Sequence, residues 1–224
     1  MTPPRPSGRP GPRSPTVGGG RDRPSRGVTL AIAAAVAVVI VVLYVVFRSA
    51  SPDAAAPGGG TRFQVGTPGP GQSAPSFTLP AAGGSSTSLA DYRGKTVLLY
   101  FHEGLGCQPC WDQLRDLERT DALRPAGVDN LVAITTGPAD LLAQKLRDDG
   151  LRTPTLADTT LAVSRAYSAN NYGMMGTGAD GHTFILVGPD GTIRWRADYG
   201  GAPNYTMYVP PTQLLADLQA GRTP

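Results

Sequence analysis

The longest apolar run lies near the start of the chain. Residues 28–47 carry no charge, and their only hydroxyls are those of Thr29 and Tyr44. They lack the polar stripe of a helix packed on a soluble core. About twenty residues, rising 1.5 Å each, cross a hydrocarbon layer of roughly 30 Å. The pattern predicts one transmembrane helix over 28–47. A cleaved signal peptide has a shorter apolar region, about 7–15 residues, so an uncleaved anchor is expected. The residues on either side, 1–27 and 48–74, are rich in Pro, Gly, Ala and Ser. They read as a disordered tail and a flexible tether.

From Pro75 onward, short apolar runs alternate with amphipathic stretches. Strands are expected at 77–79, 96–101 (TVLLYF), 131–135, 183–187 and 192–196. The run 96–101 has the pattern of a strand buried on both faces. Helices are expected from Trp111 through Leu114 and Leu117, over 139–149 with Gly150 as C-cap, over 160–167 and over 212–220. Pro189-Asp190-Gly191 reads as the turn of a hairpin. Strands alternating with helices, then a hairpin and a last helix, predict an α/β domain over 75–224. Its mixed central sheet is flanked by helices.

Charge settles the orientation of the anchor. The formal charge is +3 overall, and 1–27 holds six arginines against Asp22, leaving −2 on the remainder. Arginines before the apolar run place the N-terminus in the cytoplasm and the C-terminal domain outside the cell membrane. The high pI belongs to the tail, so no nucleic-acid partner is expected.

The candidate chemistry is Cys107-Gln108-Pro109-Cys110, between a buried strand and an amphipathic helix. Cys107 is expected at the helix N-terminus, where free N–H groups and the helix dipole favour a thiolate. Cys110, one turn along, would resolve a mixed disulfide by attacking Cys107. Outside the cytoplasm a disulfide persists. The bland alternative, half a zinc site, needs four ligands. The only further His or Cys residues are His102 and His182, so neither metal nor cofactor is expected.

The stretch 94–117 (GKTVLLYFHEGLGCQPCWDQLRDL) resembles the active-site region of the AhpC/TSA and redoxin group of the thioredoxin superfamily. Cys107 follows Phe101 by six residues, as in several members. Further matches are Thr153-Pro154-Thr155-Leu156-Ala157-Asp158, Ala166-Tyr167 and 183–191 (TFILVGPDG). The layout also resembles membrane-tethered TlpA-type oxidoreductases. The resemblance implies a thioredoxin-like fold and a redox-active Cys107–Cys110 disulfide. It departs from the family at two points. The proline and threonine that typical peroxiredoxins carry seven and three residues before the peroxidatic cysteine are Tyr100 and Gly104 here. His182 stands where oxidoreductases place a cis-proline and where many peroxiredoxins have an arginine nearby.

His182 is therefore expected either to face the sulfurs, as a cation or as a hydrogen-bond donor, or to lie on the surface at a strand entrance. Glu103 and His102 are expected to pass protons or to be solvated loop residues. Tyr172-Gly173-Met174-Met175-Gly176, 198–201 and 204–208 suit an adaptable docking surface, or loops packed over the sheet. The expected function is thiol–disulfide exchange with protein thiols outside the cytoplasm, drawing on an electron donor or acceptor. A peroxiredoxin-like peroxide reductase is the first alternative. A copper-handling domain, with Cys107, Cys110 and one His or Met as ligands, is the second.

Overall fold

The computed structural model describes residues 26–50 and 62–222 and divides the chain into two units, 1–59 and 60–224. In the first unit, α1 (Arg26–Ala50) is a single helix. Among the described residues no helix is long and apolar enough to cross a membrane. The expected tail lies outside the described residues except for Arg26 and Gly27.

The second unit is built on a five-stranded sheet. Its strands are β3 (Val97–His102), β4 (Asn130–Thr135), β5 (Thr155–Ala157), β6 (Thr183–Val187) and β7 (Ile193–Asp198), in spatial order β5-β4-β3-β6-β7. β3, β4 and β5 run parallel, and β6 and β7 are antiparallel additions. This is the thioredoxin-like α/β arrangement. The short hairpin β1 (Thr78–Pro80) and β2 (Ser86–Ser88) precedes the sheet. β5 spans only three residues, and a run that short beside Pro154 carries no strand signal of its own. All six residues of β3 are buried, as its unbroken apolar run predicts.

Alternation along β3 separates two cores. Leu98, Tyr100 and His102 point to one face, and Val97, Leu99 and Phe101 to the other. On the first face pack α2 (Gln108–Arg119) and α5 (Pro211–Gly221), through Cys110, Trp111, Leu114, Leu117, Leu214 and Leu218. α3 (Ala139–Asp149) adds Leu142 and ends at Gly150, whose φ of 66° is the left-handed C-cap conformation. On the second face lie Phe77, Leu79 and, from α4 (Ala162–Ala166), Val163, with Tyr167 just beyond it.

The domain begins earlier than the expected boundary at 75. Gln64 bridges Asp198 and Ser73 bridges Thr192, while the Gly71 amide donates to Ile193 O at 2.8 Å. Residues 62–74 therefore run along β7 and cover its free edge, and only the earlier part of the expected tether lies outside the folded unit. A sheet edge with unpaired amides needs such a cover, but the Pro/Gly composition of 62–74 conceals the pairing.

Candidate active site

Cys107 and Cys110 are joined in a disulfide, with Cα atoms 5.3 Å apart. Cys107 is the N-cap residue of α2, and Pro109 sits in the first turn, where its missing N–H is not needed. Cys107 is 8 % exposed and Cys110 is fully buried, so only the first sulfur borders solvent. The tight loop is held by Cys107 N donating to Gly104 O at 3.2 Å. Trp111 Nε1 also donates to Gly104 O, at 3.1 Å. Trp111 is a buried packing residue beneath the motif.

Behind the disulfide stands a layer of rings. Tyr100 stacks on Phe184 at 4.4 Å and on His102 at 5.2 Å, and His102 meets the Trp111 edge at 5.0 Å. His182 meets Tyr100 at 5.1 Å. The Tyr100 hydroxyl lies 3.3 Å from Cys110 O and 3.1 Å from His182 Nδ1. Both histidines are fully buried, and the Nε2 atom of each has no hydrogen-bond partner.

His182 is thus not a surface residue at a strand entrance. The cationic form expected for it does not fit either. Burial, with His102 nearby, pushes its pKa down to about 3, and burial does the same to His102. Both are neutral at neutral pH because nothing in the layer balances a positive charge. The His182 backbone is fixed on both sides. Its N–H donates to Tyr172 O at 2.8 Å, and its carbonyl accepts from Tyr199 N at 2.9 Å. Gly200 lets these segments meet, since a Cβ there would lie 2.1 Å from Tyr172 O.

The Glu103 carboxylate accepts the Met174 and Met175 amides, the latter at 3.0 Å. It ties the cysteine loop to the 172–178 loop. Met174 and Met175 themselves are 61 % and 71 % exposed. In the other Tyr/Met segments Tyr199 and Met207 are buried and Tyr208 donates to Asp116 Oδ2 at 2.6 Å, while Tyr205 is exposed. Among the described residues no three His, Cys, Asp or Glu side chains gather to hold a metal.

Two site residues escaped the sequence reading. Tyr100 was legible, because strict alternation on β3 puts it on the face of His102. Lys145 was not. It reaches from α3 over the Trp111 ring at 5.7 Å, pairs with Asp149 at 3.0 Å and donates to Gln108 Oε1 at 3.3 Å.

A thioredoxin-like sheet carrying a strand-to-helix cysteine pair, one sulfur at the surface and one buried, defines a thiol-redox protein. The AhpC/TSA family matches residues 70–196, and the chain belongs to that family. It is 36 % identical over 129 residues to the putative peroxiredoxin Rv2521 of Mycobacterium tuberculosis (strain ATCC 25618 / H37Rv), covering 55 % of this chain and 81 % of that protein. It is 30 % identical over 127 residues to peroxiredoxin Bcp of Escherichia coli (strain K12), with the same coverage. Among solved structures, peroxidoxin BcpB of Mycobacterium tuberculosis superposes with a TM-score of 0.55 at 20 % identity. That match covers 69 % of this chain and 99 % of that one. A thiol peroxidase from Chromobacterium violaceum gives a TM-score of 0.56 at 17 % identity, covering 71 % and 91 %. These two likenesses speak for the fold.

Proposed function

We propose that the domain is a thiol-dependent peroxide reductase. The carrying observation is the disulfide within the first turn of α2, with Cys107 at the N-cap and Cys110 buried behind it. The free N–H groups of α2 support a thiolate at Cys107. That thiolate attacks a peroxide oxygen, the O–O bond breaks, and sulfenic acid forms as the alcohol or water leaves. The Cys110 thiol then displaces the hydroxyl as water and closes the disulfide. Two external thiols return two electrons and two protons. This reading reverses the order of the two redox expectations, because the curated relatives are named as peroxiredoxins. Thiol–disulfide exchange stays as the second reading. Its support is Tyr100 and Gly104, which stand where typical peroxiredoxins carry a proline and a threonine before the peroxidatic cysteine.

The test is the full-length Cys110→Ser variant, treated with hydrogen peroxide and a sulfenic-acid trap. Stoichiometric labelling at Cys107 is expected. If Cys107 stays unlabelled while the wild type still reduces a protein disulfide, the exchange reading replaces this one.

We further propose that 28–47 anchors the domain outside the cytoplasmic membrane. The support is the uncharged run and the arginines before it. Protease added to cells stripped of their wall should remove the domain, and a protected domain would reverse the orientation.

A further inference from the structure

We propose that Lys145 is a positioning residue for the cysteine pair. Through Gln108, the residue after Cys107, it holds the first turn of α2 so that the two sulfurs stay within bonding reach when the disulfide is open. The assignment rests on the reading that Cys107 and Cys110 cycle between dithiol and disulfide.

The backbone does little to hold that turn. Pro109 has no N–H to donate, and the Cys107 side chain caps no amide. Cys107 O accepts Cys110 N at 3.1 Å and Trp111 N at 3.4 Å, the second long for such a bond. The bonds from Cys107 N and Trp111 Nε1 to Gly104 O fix the residues on either side of the turn. In the oxidised chain the disulfide closes the turn itself. Once it opens, the residue between the sulfurs is fixed from its side chain.

Gln108 is exposed, yet both functions of its amide are engaged. Its Oε1 accepts from Lys145 Nζ at 3.3 Å, and its Nε2 donates to Asp112 Oδ1 at 3.0 Å. Asp112 pairs with Arg115, Arg115 with Asp149 at 3.2 Å, and Asp149 with Lys145 at 3.0 Å. These side chains close a ring that joins α2 to α3. An isolated exposed pair contributes little, whereas a closed network holds each member from two sides. The ring is seated on the core, because the Lys145 ammonium lies 5.7 Å over the buried Trp111 ring and α3 packs through Leu142. Its cations, Lys145 and Arg115, are matched by Asp112 and Asp149. It therefore acts on Cys107 through geometry rather than through a net field.

The reaction it favours is closure. With glutathione disulfide as the oxidant, one sulfur of the pair first forms a mixed disulfide and releases one glutathione thiol. Cys110 Sγ then attacks the Cys107 sulfur, the Sγ–Sγ bond forms, and the second glutathione leaves. Two electrons pass from the two thiols to glutathione, and their two protons go with them. A turn held in place makes the second step effectively intramolecular at high local concentration.

The experiment equilibrates the full-length chain with glutathione at about pH 7 and reads the effective concentration of the two thiols. Wild type, Gln108→Ala, Lys145→Met and the double variant form a cycle. Lys145→Met keeps the stem over Trp111, and the charge it removes acts in both backgrounds and cancels. Gln108→Ala should lower the effective concentration about fivefold in the wild type, the worth of one partly exposed charge-assisted hydrogen bond. In the Lys145→Met background it should change the value by less than about twofold. Lys145→Arg should keep most of the wild-type value. An equal fall in both backgrounds would overturn the proposal, as would an unchanged value in Gln108→Ala. A wild type that forms no Cys107–Cys110 disulfide in glutathione would overturn it together with the reading it rests on. The peroxide reading fails separately, through absent sulfenic acid in Cys110→Ser, and leaves this equilibrium untouched.

Discussion

The two faces of the sheet treat buried polar groups in opposite ways. On the face away from α2, Arg196 and Asp198 form a fully buried ion pair at 2.8 Å. Asp198 also accepts Thr183 Oγ1 at 2.8 Å and Gly66 N at 2.7 Å, and Arg196 donates to Tyr167 O and Pro68 O. Both carboxylate oxygens of Asp198 are engaged. On the disulfide face, two neutral histidines each keep one nitrogen without a partner. A saturated network fixes the fold.

The largest effect tests the saturated side. Asp198→Asn removes the charge facing a buried guanidinium and should destabilise the domain by about 3–5 kcal/mol. Urea unfolding measures it, through a lower midpoint at unchanged slope. The rate of disulfide formation at Cys107 should hold in the folded fraction. A loss of reactivity without a loss of stability would mean that the two faces are not separable in this way.

The sequence announced the disulfide face far better than the saturated one. A cysteine pair after a buried strand is a local signal, and β3, α3 and β6 are patterned strongly enough to be placed closely from periodicity. The Arg196–Asp198 pair reads, in sequence, as ordinary polar residues at the end of an edge hairpin. Its burial depends on 62–74 closing over β7, and that pairing is carried by backbone atoms in a Pro/Gly-rich stretch with no strand pattern. For His182 the sequence allowed a cation or a neutral donor facing the sulfurs, or a surface residue; the side chain is buried and neutral. Register follows from counting back from Pro189-Asp190-Gly191, whereas protonation depends on Tyr100, Phe184 and Tyr199 closing around the ring.

The next effect tests the disulfide face by pH. The folded-state pKa of His182, about 3, lies below the ordinary value of 6.5. Above pH 6.5 both folded and unfolded states are neutral, and His182 costs nothing. As pH falls below 6.5 the unfolded chain binds a proton that the folded one refuses, so stability drops until about pH 3. Between pH 7 and 5 this amounts to about 2 kcal/mol. Asp180 acts in the opposite sense. Burial and Asp158 raise its pKa, so it regains stability as pH falls. The comparison is therefore between wild type and His182→Gln, with unfolding free energies at both pH values. The variant should lose about 2 kcal/mol less on acidification. An equal loss would place the imidazole in contact with water in the folded state.

The smallest effect concerns Glu103, which sits between the two kinds of design. One oxygen of its carboxylate accepts two amides, yet it lies four residues before Cys107 and holds the exposed Met174-Met175 turn. A hydrogen bond to a charged acceptor contributes about 1.5–3 kcal/mol, and a neutral acceptor roughly half of that. Glu103→Gln keeps an oxygen for the two amides but removes the charge, so closure of the 172–178 loop should weaken by about 1 kcal/mol. Hydrogen exchange of the Met174 and Met175 amides should then quicken by about fivefold, since about 1.4 kcal/mol is a factor of ten. If Glu103 only ties the loops, the rate of disulfide formation at Cys107 should change less than that, and its pH profile should keep its shape. A changed profile in Glu103→Gln would make the carboxylate a proton carrier after all, as the sequence alone allowed, and would move it from the saturated network to the reactive one.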